Sequence, residues 1–301
     1  MPSSHAARMK SGLLYALLAY GLWGLLPIVF KWMSAIPVWV VLVHRILWTF
    51  VFTALLVTLG RKLGQIGSLL QQPRTLGWLA LSGALIGLNW LIFVWAVVHD
   101  RILETSLGYY ITPLVNVLLG LLFLGEHIHG RERLALGLAT AGTGWLVLGH
   151  GSLPWVALAL AASFSFYGLI RKRLGVGALP GLMLESGFLL PLALAALPWL
   201  DAPQPDGFVQ GDALVRFQLV ALGVITTVPL AAFAAATRRL PLSLVGMMQY
   251  LAPTLTLLLA VGLYGESFSR DHAISFGLIW AGLALYSHSL WQKSRQPAAY
   301  D

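Results

Sequence analysis

The 301 residues contain no cysteine, which excludes disulfides, thiolate metal sites and redox thiols, and leaves cysteine silent about compartment. Charge is also scarce. Asp, Glu, Lys and Arg make up 10% of the chain, against roughly 25% in an ordinary soluble domain. Long polar stretches are missing too: the longest, about 16 residues over 200–215, is too short to house a nucleotide-binding domain. No GxxxxGK[ST] loop is present, so nothing points to ATP hydrolysis by that route. HExxH and GxSxG are absent as well, which removes the commonest metalloprotease and serine hydrolase signatures. No cofactor is expected.

What the chain has in abundance is apolar sequence. It is 58% hydrophobic, with a mean hydropathy of +0.80. Apolar runs recur at about 13–32, 37–59, 76–98, 103–124, 131–149, 153–170, 179–199, 216–236, 243–264 and 271–290. Most are about 18–23 residues long, enough to cross roughly 30 Å of hydrocarbon as a helix. The first run is longer than a signal-peptide core and is read as a retained span. These features predict an all-α membrane protein of ten transmembrane helices whose chief partner is the lipid bilayer.

The later part of the chain repeats the earlier. Subtracting 140 from Tyr250, Pro253, Leu258, Leu259, Gly265, Glu266, Gly277, Leu278, Ala281 and Gly282 gives Tyr110, Pro113, Leu118, Leu119, Gly125, Glu126, Gly137, Leu138, Ala141 and Gly142. Such a period marks two copies of one unit, here 1–150 and 151–301, each with five spans.

Charge sets the orientation. With the N-terminus inside, the inner segments hold Arg8, Lys10, Arg61, Lys62, Arg74, Arg131, Arg133, Arg171, Lys172, Arg173, Arg238, Arg239, Lys293 and Arg295, fourteen of the 19 basic residues. The long outer loop carries Asp201, Asp206 and Asp212 with no Lys or Arg over 200–215. This is the positive-inside pattern, so the net charge of +8 reflects topology and no nucleic acid partner is expected. Five spans per copy turn the second copy over, placing Gly125–Glu126 inside and Gly265–Glu266 outside. Two inverted five-helix repeats are typical of secondary transporters, with a substrate site between them near the midplane.

Polar residues within the spans are the candidates for that site: His44, Arg45, Asn89, Asn116, Glu185 and Gln249. Ionisable groups are expensive in hydrocarbon and tend to face a bundle interior or pathway. Arg45 and Glu185 also differ by 140, so opposite charges hold the same place in the two copies. Both are expected to face the cavity between the halves, pairing with each other or touching substrate. Trp23, Trp48, Trp90 and Tyr167 sit deep enough to line a pocket. The matched Pro113 and Pro253 are expected to kink their helices and free the carbonyls of Tyr109 and Gln249. Weaker signals are the Gly83-xxx-Gly87 spacing and His127-x-His129, which lacks a third metal ligand.

The strings AYGLWGLLPIVFKW, HRILWTF, GLNWLIFVWAV, SLGYYITPLVNVLLGLLFLGE and TTVPLAAFAAATRRLPLSLVGMMQYLAPTLTLLLAVGLYGE resemble bacterial permeases of the EamA group, in the drug/metabolite transporter superfamily. The resemblance runs over 12–291. It implies an inner-membrane exporter or exchanger of small metabolites, not an enzyme, with a cavity lined by the first four helices of each half. Tyr110 and Tyr250 belong to these strings and join the candidate lining. A coupling proton, a counter-solute or the metabolite gradient would drive transport. An intramembrane lipid-modifying enzyme and a channel are the alternatives. Nothing in the sequence sets the oligomeric state.

Orientation can be tested directly in a cysteine-free chain. A cysteine at position 206 should react with an impermeant thiol reagent in intact cells, while one at position 62 should not; the opposite pattern would reverse the topology.

Overall fold

A computed structural model describes residues 2–99, 101–128, 130–149, 154–201, 204, 206–265 and 268–295; Glu266 and His129 lie outside the described residues. Thirteen helices follow in order: α1 (Pro2–Gly24), α2 (Leu26–Trp32), α3 (Val38–Leu59), α4 (Leu63–Leu70), α5 (Pro73–Val98), α6 (Ile102–Leu124), α7 (Arg131–Gly149), α8 (Trp155–Leu174), α9 (Ala178–Leu200), α10 (Ala213–Thr237), α11 (Leu242–Gln249), α12 (Leu251–Gly262) and α13 (Arg270–Arg295). No strand occurs among the described residues. Seven segments are long and apolar enough to cross a membrane: Ala7–Trp32, Val38–Leu59, Pro73–Val98, Glu104–Leu124, Ala178–Leu200, Ala213–Thr237 and Leu242–Gly262. The chain is therefore a multi-pass, all-helical membrane protein. At the positions expected for the fifth, sixth and tenth spans stand α7, α8 and α13. Charged ends dilute their apolar content, with Arg131, Glu132 and Arg133 on α7, Arg171–Arg173 on α8, and Arg270 and Asp271 on α13.

Local sequence explains where these rods break and stop. Pro27 cannot donate to the Trp23 carbonyl, and the first span divides at Leu25 into α1 and α2. Thr256 Oγ1 donates to the Gly24 carbonyl at 3.3 Å, so that exposed acceptor is met from α12. Pro253 likewise cannot donate to Gln249, and the span Leu242–Gly262 divides at Tyr250 into α11 and α12. Pro113 has no such effect, because α6 runs from Ile102 to Leu124 as one helix. The α6 helix ends at Gly125, whose left-handed φ of 63° turns the Glu126 N–H back to the Gly120 carbonyl at 3.1 Å.

The main packing pairs are α3 with α9, α6 with α11 and α7 with α13, then α6 with α8, α5 with α8 and α9, α3 with α10, and α1 with α10 and α12. At their centre Tyr20, Tyr167, Phe233 and Tyr250 are fully buried. Tyr20, Trp23, Phe164, Tyr167 and Phe233 form a run of rings joining α1, α8 and α10, with centroids 5.0 to 6.4 Å apart. Edge-to-face and offset ring pairs add about 0.5–1.5 kcal/mol each beyond burial.

Between α7 and α13 the backbones approach closely at two glycines. A Cβ on Gly142 would lie 2.7 Å from the Ser275 carbonyl, and one on Gly282 would lie 2.7 Å from the Ala135 carbonyl. Gly142→Ala and Gly282→Ala should each destabilise the bundle by about 1–3 kcal/mol through overpacking. Gly137→Ala and Gly277→Ala, whose added methyls meet open space, should not. Thermal unfolding of the four variants in detergent checks this, and equal behaviour of all four would remove the close contact.

Candidate transport site

A cavity of about 90 Å³ lies where α1, α2, α3, α5, α6, α8 and α11 converge. Its walls include Trp23, Arg45, Asn89, Trp90, Tyr109, Phe164 and Gln249. Arg45 supplies the charge. Its Nε–H donates to Thr226 Oγ1 on α10 at 3.2 Å, and its guanidinium carbon lies 4.3 Å from the Trp90 ring centroid, a cation–π geometry. Asn89 Nδ2 donates to the Leu160 carbonyl (2.9 Å) and to Ser163 Oγ (3.0 Å), tying α5 to α8.

Asn116 stands one layer back from the cavity wall. It is fully buried, and its Nδ2 donates to Gln249 Oε1 at 2.8 Å. That bond holds the Gln249 amide with its acceptor engaged. Tyr250 is also fully buried, and its hydroxyl donates to the Tyr110 carbonyl at 3.2 Å. The Tyr110 ring packs edge-on against Phe276 of α13, with centroids 5.5 Å apart. Asn116, Tyr110 and Tyr250 brace the junction of α6, α11 and α13 and do not contribute to the cavity wall, which Gln249 alone of this group reaches.

His44 and Trp48 sit elsewhere, on the side of α3 that faces Asp201 and Phe208. Trp48 Nε1 donates to His44 Nδ1 at 3.1 Å. An indole N–H can only donate, so the imidazole proton sits on Nε2, which lies 3.2 Å from Asp201 Oδ1. Asp201 Oδ1 also accepts from the Phe208 N–H at 2.7 Å, and the Phe208 ring stacks on His44. Asp201, read in the sequence as one of several loop acids, is in fact buried, 2% exposed.

Glu185 departs furthest from its sequence expectation. It neither lines the cavity nor meets Arg45. The carboxylate is fully buried, taking a hydrogen bond from Ser82 Oγ (2.5 Å) and one from Tyr167 Oη (3.5 Å). Its ionic partner is Arg171, with Nη1 3.5 Å from Oε1. The physical reason is the Gly83-xxx-Gly87 face of α5. A Cβ on Gly83 would fall 2.9 Å from the Glu185 carbonyl, and one on Gly87 would fall 2.9 Å from the Leu189 side chain. The α9 helix therefore nests directly against α5, away from the cavity. Arg171 was counted with the loop cations, yet it is 1% exposed, and its Nη2 donates to the Gly177 and Ala178 carbonyls at 3.3 and 3.2 Å. The usable signal was its position one turn after Tyr167, on the same helix face.

A second link, unforeseen in the sequence, closes the basic end of the bundle. Glu126 Oε1 accepts from the Leu242 N–H (2.5 Å) and Oε2 from the Ser243 N–H (2.8 Å), so a side chain after α6 caps α11. Lys172 Nζ stands 3.8 Å from Glu126 and donates to the Thr237 and Leu240 carbonyls, at 3.1 and 2.5 Å.

The EamA-like transporter family model matches residues 10–148 and again 153–288. A transporter of Vibrio cholerae serotype O1 is 46% identical over 279 residues, 92% of each chain. Protein RarD of Escherichia coli K12 is 42% identical over 281 residues, 93% of this chain and 95% of its own. The transporter YojE of Bacillus subtilis is 41% identical over 287 residues, 94% and 95% of the two chains. A crystal structure at 23% identity matches 93% of this chain and 98% of its own with a TM-score of 0.69, which shows a shared fold. The buried polar links between apolar helices, the cavity they surround and these matches over nearly the whole length agree: this chain belongs to the EamA-like transporter family and stands among relatives of the RarD type.

Proposed function

We propose that the protein is a secondary transporter that moves a small solute through the central cavity by alternating access of two inverted five-helix halves, 1–150 and 151–301. Both termini are cytoplasmic, the acidic loop is outside, and the membrane is the bacterial inner membrane. A proton, a counter-solute or the solute's own gradient drives the cycle, and the chain performs no covalent chemistry.

The observation that carries this reading is the pairing of helices. Each span of the first half has a counterpart five spans later, and exchanging counterparts leaves the main neighbours unchanged. The pairs α3–α9, α6–α11 and α7–α13 join counterparts; α5–α8 corresponds to α1–α10, α3–α10 to α5–α9, and α6–α8 to α1–α12. Side chains follow the same rule. Gly142 faces Ser275 as Gly282 faces Ala135, and Arg45 on α3 reaches Thr226 of α10 as Glu185 on α9 reaches Ser82 of α5. A two-fold arrangement with a cavity walled by both halves suits rocking of one half on the other.

In this conformation the Glu126 cap on α11 joins the halves at the basic end. Opening that end requires the cap to release. Glu126→Ala should cost about 1 kcal/mol of stability through loss of the cap. It should also speed maleimide labelling of a cysteine at position 244, where Leu244 is 3% exposed, severalfold in inside-out vesicles. Unchanged labelling would mean the cap does not hold this end closed.

Flux is the decisive measurement. Proteoliposomes loaded with a labelled bacterial metabolite extract should lose particular components faster than protein-free vesicles, and a pH gradient applied or collapsed should change that loss if a proton is coupled. Identical loss from both kinds of vesicle would refute transport.

A further inference from the structure

We infer that the cavity is built for a small aromatic or similarly flat monoanion, a carboxylate with no cationic group, which docks head-on against Arg45. The inference rests on the transporter reading for its purpose, while its binding step stands on the cavity alone.

Arg45 is the only charged side chain among the described residues that line the cavity. Arginine has five N–H donors. Its Nε–H is engaged by Thr226, and the four on Nη1 and Nη2 have no hydrogen-bond acceptor among the described residues. That is the planar fork a carboxylate meets with two parallel bonds. The buried carboxylates of Glu104, Glu185 and Asp201 are engaged elsewhere. Glu104 takes hydrogen bonds from Arg101 Nη1 (2.8 Å) and the Val156 N–H (3.1 Å). Glu185 is behind α5 with Arg171, and Asp201 lies beside His44.

The neutral polar groups add donors to the same wall. Asn116 occupies Gln249 Oε1, which leaves the Gln249 amide N–H groups to offer. Tyr20 lines the cavity with its ring fully buried and its hydroxyl without a partner among the described residues. A wall with one cation and surplus donors complements an acceptor-rich head group. It offers an ammonium group no carboxylate, so cations and zwitterions are disfavoured. Asn89 is the inverse case: its N–H groups are spent on α8, and its Oδ1 remains as an acceptor suited to a hydroxyl on the ligand's body. Around these groups stand Trp23, Phe30, Trp90, Phe93 and Phe164, an aromatic lining that suits a flat apolar body.

Purified full-length protein and radiolabelled benzoate at pH 7.5 provide the test, by equilibrium dialysis with unlabelled competitors. Benzoate should bind saturably and be displaced by benzoate and 4-hydroxybenzoate. Benzamide, benzylammonium and phenylalanine should each displace it at least about tenfold less well, because a site built around charged hydrogen bonds rejects analogues that leave its groups unpaired. Arg45→Gln should abolish binding and Arg45→Lys should weaken it, with melting temperature and elution volume confirming that both variants fold. The ligand panel on the unmodified protein decides the question if Arg45→Gln does not fold. Absence of saturable benzoate binding, or equal displacement by benzamide or phenylalanine, overturns the inference. Saturable, Arg45-dependent binding in a protein that moves nothing in proteoliposomes would leave the anion site standing and refute the transporter reading.

Discussion

A polar group in hydrocarbon has no water to bind, so each one carried on a spanning helix must find its partner on another part of the protein. This constraint organises the bundle. Glu185 reaches Ser82 and Tyr167, Asn116 reaches Gln249, Asn89 reaches the backbone and Ser163 of α8, and Tyr250 reaches Tyr110. All but the Glu185–Tyr167 link join segments distant in sequence, and each fixes a rotation of one helix against its neighbour that apolar packing alone would leave degenerate. Lipid tails are as apolar as leucine, so close packing and such bonds supply the specificity that the hydrophobic effect supplies in water.

Arg45 departs from this pattern in an instructive way. Its charge has a hydroxyl and an aromatic face as partners, and no carboxylate. On insertion scales an arginine at mid-membrane costs about 3 kcal/mol. A bundle that encloses Glu185 with an ionic partner and turns Arg45 to a cavity holds binding capacity in reserve. Glu185 shows the contrasting solution: enclosed with Arg171, it contributes to the assembly of α5, α8 and α9.

Small residues decide how closely the helices meet and therefore where the cavity can be. Gly83 and Gly87 bring α9 against α5 and keep it off the cavity wall, although the family resemblance implied a contribution from all of the first four helices of each half. Gly142 and Gly282 draw α7 and α13 together. Neither of those two helices supplies a lining residue. The working surfaces thus fall to α1, α2, α5, α6 and α8, with α3, α10, α11 and α12 adding one residue each.

Much of this was legible in the chain. The positions of the helices follow from runs of apolar residues, which hydrocarbon thickness converts into length. The division of the span Leu242–Gly262 follows from a proline that cannot donate, and the family follows from long motifs. Depth along a helix is also readable, and Arg45, Asn89, Trp90, Tyr109 and Gln249, all inside apolar runs, line one cavity. Rotation about the helix axis is not readable, because in a membrane both lipid-facing and protein-facing sides are apolar and the amphipathic signal vanishes. For that reason a shared spacing of 140 suggested that Arg45 and Glu185 meet, while tertiary packing gave Glu185 to Arg171 and left Arg45 to the cavity. The same cause hid Asp201 beside His44 and Glu126 on the end of α11. By itself the sequence determined the solvent, the all-helical class and the family; only the folded bundle decided which polar group faces which, since that choice depends on helix rotations set by glycine contacts and hydrogen bonds between distant segments.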